Sequence, residues 1–140
     1  MSIQAVLLPV FAQIALTFGL LYWQGYVRVG HTRRGEVKLR DIALRQANWP
    51  EQATKLGNAF LNQLELPILF YALVAFALLT RKADLLFVVL AWIFVLSRLL
   101  HAYIHVTSNR VSRRFYAFTV GSLTLLVMWA MFAFRVLTGD

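Results

Sequence analysis

The stretch "NAFLNQLELPILFYAL", Asn58 to Leu73, decides how the chain is read. Most of it is apolar enough to lie in lipid, yet Asn58, Asn62 and Glu65 precede Pro67 and an unbroken apolar run. A carboxylate and two amides at that depth are expensive unless something meets them. The segment belongs to one of four long apolar blocks: Ala5–Val27, Leu56–Leu79, Leu85–Val106 and Phe115–Leu137. Each has about 20 residues or slightly more, the length at which a helix crosses the hydrocarbon core. None alternates as the strands of a membrane barrel would. The sequence therefore predicts an all-α integral membrane protein, a bundle of four transmembrane helices near 5–27, 50–80, 85–106 and 115–137. They form a single domain over residues 1–140.

Composition points the same way. Of 140 residues, 60% are hydrophobic and 14% charged, and the mean hydropathy is +0.66, too apolar for a soluble domain of this size. The first block has no basic segment before it and no clear small-residue cleavage site, so it reads as a retained helix. Pro9 falls in its first turns, where a missing N–H does least harm.

The 14 Lys and Arg residues are unevenly placed. Arg28, Arg33, Arg34, Lys38, Arg40, Arg45 and Lys55 flank or fill the first connection, and Arg110, Arg113 and Arg114 the third. The opposite side has Arg81, Lys82 and Arg135. The positive-inside rule places the two basic loops in the cytoplasm. The net charge of +8 resides in these loops and points to anionic lipid headgroups or an anionic ligand. Nucleic acid is not an expected partner, because no soluble domain is present to bind it. With no cysteine in the chain, any thiol chemistry must use a thiol that a substrate brings.

The first connection runs from Arg28 to about Asn48, with a short amphipathic piece expected near Val37–Leu44. Asn48 with Pro50 and Glu51 reads as a helix start. The turn "RKAD", Arg81–Asp84, is short enough to make the helices on either side antiparallel neighbours.

Two polar stripes follow from helical spacing. Asn58, Asn62 and Glu65 fall at i, i+4, i+7, and Arg98, His101 and His105 at i, i+3, i+7, so each set lines one helix face. Glu65 lies roughly 14 Å below the end of its block and Arg98 roughly 12 Å below the end of its own. Matching depths on neighbouring helices predict a Glu65–Arg98 ion pair. Structural glue would explain any one of these residues, since interhelical polar contacts are common. Six on two facing stripes, under a rim of Arg28, Arg110, Arg113 and Arg114, read as the floor of a pocket for a polar, anionic ligand. No metal site is expected: Arg98 competes for Glu65, and no further ligand completes a shell with His101 and His105. A proton-relay transporter is disfavoured by the lack of a repeat or paired half-helices.

Tyr22, Trp23, Tyr26 and Trp49 read as an interface belt, Thr119, Gly121 and Ser122 as a close-packing patch, and Arg135 as a snorkelling side chain. Pro67 is expected to kink the second helix and free a carbonyl near the pocket.

The N-x-x-E of Asn62 and Glu65, followed by Pro67 and an aromatic-rich run, resembles the second-helix signature of the MAPEG proteins, the membrane-associated proteins of eicosanoid and glutathione metabolism. "SRLLHAYIHVTSNRVSRRFYAFTVG", Ser97 to Gly121, is similar to the third helix and following loop of that family. The resemblance implies a homotrimer with intersubunit sites near the cytoplasmic face, and glutathione as co-substrate. By position, Arg28, Asn62, Glu65 and Arg98 would hold its charged ends, with Asn58, His101 and His105 beside them. Arg114 stands where the family's thiolate-activating arginine stands, and a guanidinium beside a thiol favours the nucleophilic thiolate. The pattern also departs from the enzymes: Asn58 and Leu61 occupy places of arginines, His105 that of a tyrosine, and Phe115 that of a serine in some members.

Two functions follow. One is a glutathione-dependent transferase or peroxidase acting on a lipophilic small molecule that enters from the membrane lipid. The other is a non-catalytic trimeric membrane protein binding lipid or a protein partner. The short chain without a retention-type tail sets the expectation of a bacterial inner membrane.

Overall fold

The computed structural model describes residues 2–43 and 49–139. Within them the chain is helical, with no strand: α1 Ile3–Arg33, α2 Glu51–Asn62, α3 Leu66–Leu79, α4 Leu85–Val106 and α5 Val111–Thr138, plus a 3-10 turn at Leu39–Ile42. With α2 and α3 taken together as one span, four segments are long and apolar enough to cross a membrane.

The second segment departs most from expectation. It is two helices, broken between Asn62 and Leu66. Pro67 has no N–H for the carbonyl four residues earlier, and its ring clashes there, so the ladder fails one turn upstream. Gln63, Leu64 and Glu65 bond instead to Phe60, Leu61 and Asn62, three residues back. Pro67 then sits in the first turn of α3, where its fixed φ suits a helix start.

Two helix ends also move. α1 continues six residues past Val27 through the expected loop, ending in His31, Thr32 and Arg33. α5 begins at Val111 and so carries Arg113 and Arg114 in its first turn. The 3-10 turn stands where the amphipathic piece was expected. Asn48, the expected cap of the second segment, and Leu44 and Arg45 lie outside the described residues; the residue preceding α2 is Pro50, which makes no side-chain cap.

α4 is the most enclosed span. Its upper half shares a core with Val6 and Val10 of α1, Phe70 and Ala77 of α3, and Leu125 and Met128 of α5. The Phe70 and Phe94 rings stack at 4.8 Å between centroids, worth about 1 kcal/mol beyond the area they bury. A smaller cluster at the basic end joins Leu20 of α1, Ala59 of α2 and Ala102 of α4. Gly121 of α5 lies hard against α4, as a small-residue patch implies: a Cβ there would stand 2.6 Å from Ser97 Oγ.

Capping supports the ends. Ser2 Oγ accepts from the Ala5 N–H at 3.1 Å, and Asp84 Oδ1 from the Phe87 N–H at 2.9 Å. Asp84 also pairs with Arg135 Nη2 at 2.6 Å, while Arg135 Nη1 donates to the Lys82 carbonyl at 3.3 Å. Arg135 therefore ties α5 to the α3–α4 turn. Partial burial works against the charged form of Asp84, but the Arg135 and Phe87 hydrogen bonds prevail and hold its carboxyl below the usual range.

Candidate functional site

The polar cluster forms where α2 ends beside α4 and the start of α5. Arg98 is wholly buried, and its Nη2 donates to the Asn62 carbonyl at 3.1 Å. That carbonyl belongs to the last turn of α2, whose acceptors lose their helical donors at the break. It also accepts from the Glu65 N–H at 3.3 Å, whereas the carbonyl that Pro67 itself deprives of a helical donor is that of Gln63, four residues earlier.

Glu65 is not that partner. No Glu65–Arg98 ion pair forms among the described residues, and Glu65 is exposed. The stripe reading assumed one continuous helix through Asn58, Asn62 and Glu65. The break instead makes Glu65 the residue before α3, with φ −102° and ψ −101°, and its side chain no longer follows the face that carries Asn62. Asn58 is exposed as well.

Asn62 is half-buried, with Nδ2 3.5 Å from His105 Nε2. The same His105 nitrogen meets Arg114 Nη1 at 2.5 Å. The His101 and His105 rings lie 5.0 Å apart, and His101 also approaches Phe118 at 6.1 Å. Asn62, Arg98, His101, His105 and Arg114 are therefore brought together. Several donors in this cluster are buried with no hydrogen-bond partner among the described residues: Nε and Nη1 of Arg98 and Nε of Arg114.

Arg28 belongs to a neighbouring group on the same side. Its guanidinium lies 5.0 Å from the centroid of the Trp49 ring, so Trp49 is a stacking partner for a cation. The approach requires Gly57, where a Cβ would stand 2.8 Å from Arg28 Nη2 and 3.4 Å from Gln24 Oε1. Arg28 Nε is also buried without a partner. Beyond it, at the end of α1, Glu36 bonds His31 and Arg34, and these two bonds, His31 first, hold its carboxyl below the usual range.

A family model for the MAPEG family matches residues 6–134 of the chain. The chain belongs to the MAPEG family. No curated protein and no solved structure matches it. The match spans all four membrane segments of this MAPEG chain and both residue groups just described.

The reading from sequence overlooked three residues of this MAPEG chain. Gln13 Nε2 donates to Gln63 Oε1 at 2.6 Å, and Gln63 Nε2 to the Ala59 carbonyl at 3.0 Å, both amides fully enclosed. The signal was available: two amides within long apolar runs, one of them next to Asn62. Gly57 was the third, and only its approach to Arg28 reveals it. A groove of about 830 Å³ runs along α4 and α5, lined by Leu96, Leu100, Tyr103, Tyr116 and Val120, with Arg113 also in its lining. None of the five clustered residues lines it.

Proposed function

We propose that this MAPEG protein is a glutathione-dependent transferase or peroxidase for a lipophilic substrate. The observation that carries the reading is the set of buried guanidinium donors without a hydrogen-bond partner among the described residues: Nε and Nη1 of Arg98, Nε of Arg114 and Nε of Arg28. A buried donor without a partner costs about 1–3 kcal/mol, and an anionic ligand with several carboxylates and a thiol is what such donors suit. Arg28 and Arg98 would hold carboxylates, Asn62 an amide, and Arg114 would favour the thiolate that this cysteine-free chain cannot provide. Asn58 and Glu65 face outward; in the homotrimer that the family resemblance implies, they would lie toward a neighbouring copy. The α4–α5 groove, apolar with Arg113 in its lining, suits a substrate arriving from lipid.

The test is calorimetry of purified protein in detergent with glutathione, together with the ultraviolet absorbance of thiolate. Binding should be accompanied by a thiolate band, and Arg114→Ala should abolish that band and lower turnover about 100-fold or more while assembly persists. Absence of binding at millimolar glutathione would overturn the reading. The same result would favour the non-catalytic alternative, a trimeric protein binding lipid or a partner, for which Asn58 and Leu61 in place of arginines are the supporting observation.

A further inference from the structure

Three arginines stand within five residues at the start of α5, and they behave differently. Arg110 and Arg113 are exposed, whereas Arg114 is half-buried. What draws Arg114 inward is His105, in the last turn of α4, through the 2.5 Å contact between Arg114 Nη1 and His105 Nε2.

The chemistry of that contact assigns the histidine's state. A guanidinium has donors and no acceptor, so Nε2 must present a lone pair. The ring is then neutral with its proton on Nδ1. Nδ1 is buried and has no hydrogen-bond partner among the described residues, so that side of the ring does not select the tautomer. Arg114 does. The second neighbour of Nε2, Asn62 Nδ2 at 3.5 Å, is also a donor.

We propose that His105 is the positioning residue of this site: its neutral, Nδ1-protonated ring holds the Arg114 guanidinium inward, and protonation of Nε2 releases it. The charged and titratable groups that face the ring are Arg114 from α5 and Arg98 and His101 from α4. α2 contributes the uncharged Asn62, with Lys55 further along on the Thr107 carbonyl. No carboxylate lies within ion-pair distance of Arg98, His101, His105 or Arg114 among the described residues, and Glu65 attracts Arg98 only at longer range. A proton taken from solvent onto Nε2 therefore removes the only acceptor of Nη1 among the described residues and sets a second cation against the guanidinium. The guanidinium keeps its own proton and swings out toward solvent. The sign is fixed: Arg114 is held while the ring is neutral and let go on acidification.

The consequence for a bound thiolate rests on the glutathione reading above; the His105–Arg114 contact does not. The first measurement accordingly uses glutathione-free, full-length protein in micelles with ¹⁵N-labelled histidine. Near neutral pH, long-range proton–nitrogen spectra should show His105 protonated at Nδ1 and bare at Nε2, with the resonance assigned by its loss in His105→Gln. Arg114→Ala should move the ring toward the Nε2-protonated form. An Nε2-protonated ring in the wild type, or no change in Arg114→Ala, overturns the proposal.

The second measurement follows the thiolate band at saturating glutathione across pH. His105→Gln, which keeps an uncharged acceptor, should retain the band and lose its decline in acid. His105→Phe, which keeps the bulk without the acceptor, should lower the thiolate fraction about tenfold or more. Equal bands in the Gln and Phe variants would mean that the ring only packs, and would overturn the proposal. If the wild type binds no glutathione, the functional reading falls, and the ring-nitrogen spectra alone decide the positioning role.

Discussion

At the scale of single residues, the site depends on glycine as much as on charge. Gly121 allows α5 to reach α4 so closely that an added methyl group would stand 2.6 Å from Ser97 Oγ, itself bonded to the Phe94 carbonyl. Gly121→Ala is expected to destabilise the fold by about 1–3 kcal/mol. Ser97→Ala in the same chain should recover most of the loss, because Ser97 Cβ lies 3.6 Å from the added atom. Denaturant titration in detergent measures both, and additive losses would refute the collision. Gly121 was legible in the sequence as a small residue in an apolar run. The partner of Arg98 was not. Spacing placed Glu65 on the right stripe only for an unbroken helix, and the identity of a carbonyl acceptor cannot be read from side chains at all. Arg114 was legible by resemblance; that His105 meets it required coordinates, since an i, i+9 pair across a turn has no periodic signature.

At the scale of elements, the break between α2 and α3 is held from the side by α1. Gln13 of α1 bonds Gln63, the residue following α2, at full burial. The bond itself is worth little, about 0.6 kcal/mol for a typical interhelical pair in a membrane. Losing one partner is costlier, because Gln13 Oε1 already has no hydrogen bond and the whole amide would then be unsatisfied. Gln63→Leu should cost about 1–3 kcal/mol, and Gln13→Leu with Gln63→Leu should lie closer to the wild type. Unfolding of the two single variants and the double variant makes the test, and equal losses for Gln63→Leu and the double variant would exclude this account. The existence of four spans was legible because hydropathy and length are properties of composition. The break was half-legible: Pro67 announced a disturbance, but whether a helix bends or parts depends on what neighbours offer the freed groups, here Arg98.

At the scale of the whole molecule, the two ends are secured differently. The end opposite the basic loops carries the Asp84–Arg135 tie, with Asp84 capping α4 at the same time. The Asp84 carboxyl is depressed, so its contribution is present above the ordinary carboxylate value near about 3.9 and is lost as pH falls through the folded value. The pair is 30% and 45% exposed, and solvent screening keeps the effect to about 1 kcal/mol or less. Asp84→Asn keeps a capping side chain without the charge, and should remove this acid-dependent loss from thermal unfolding followed between about pH 6 and about pH 3. An unchanged acid limb in the variant would show that other groups produce it. At the basic end the governing feature is the length of α1. Leu20 shares a buried cluster with Ala102, and counted from that pair α1 runs nine residues further than α4, Gly25 to Arg33, or roughly 14 Å. Arg28 and Arg33 ride on that extension, with Arg34 just past it. On the functional reading proposed above, an anionic ligand meets this positive extension of α1 first, and its capture is a matter of encounter rate. Stopped-flow binding should show association slowing as ionic strength rises from about 0.05 M to about 0.5 M while dissociation changes little, and a salt-independent association rate would rule the extension out as an antenna.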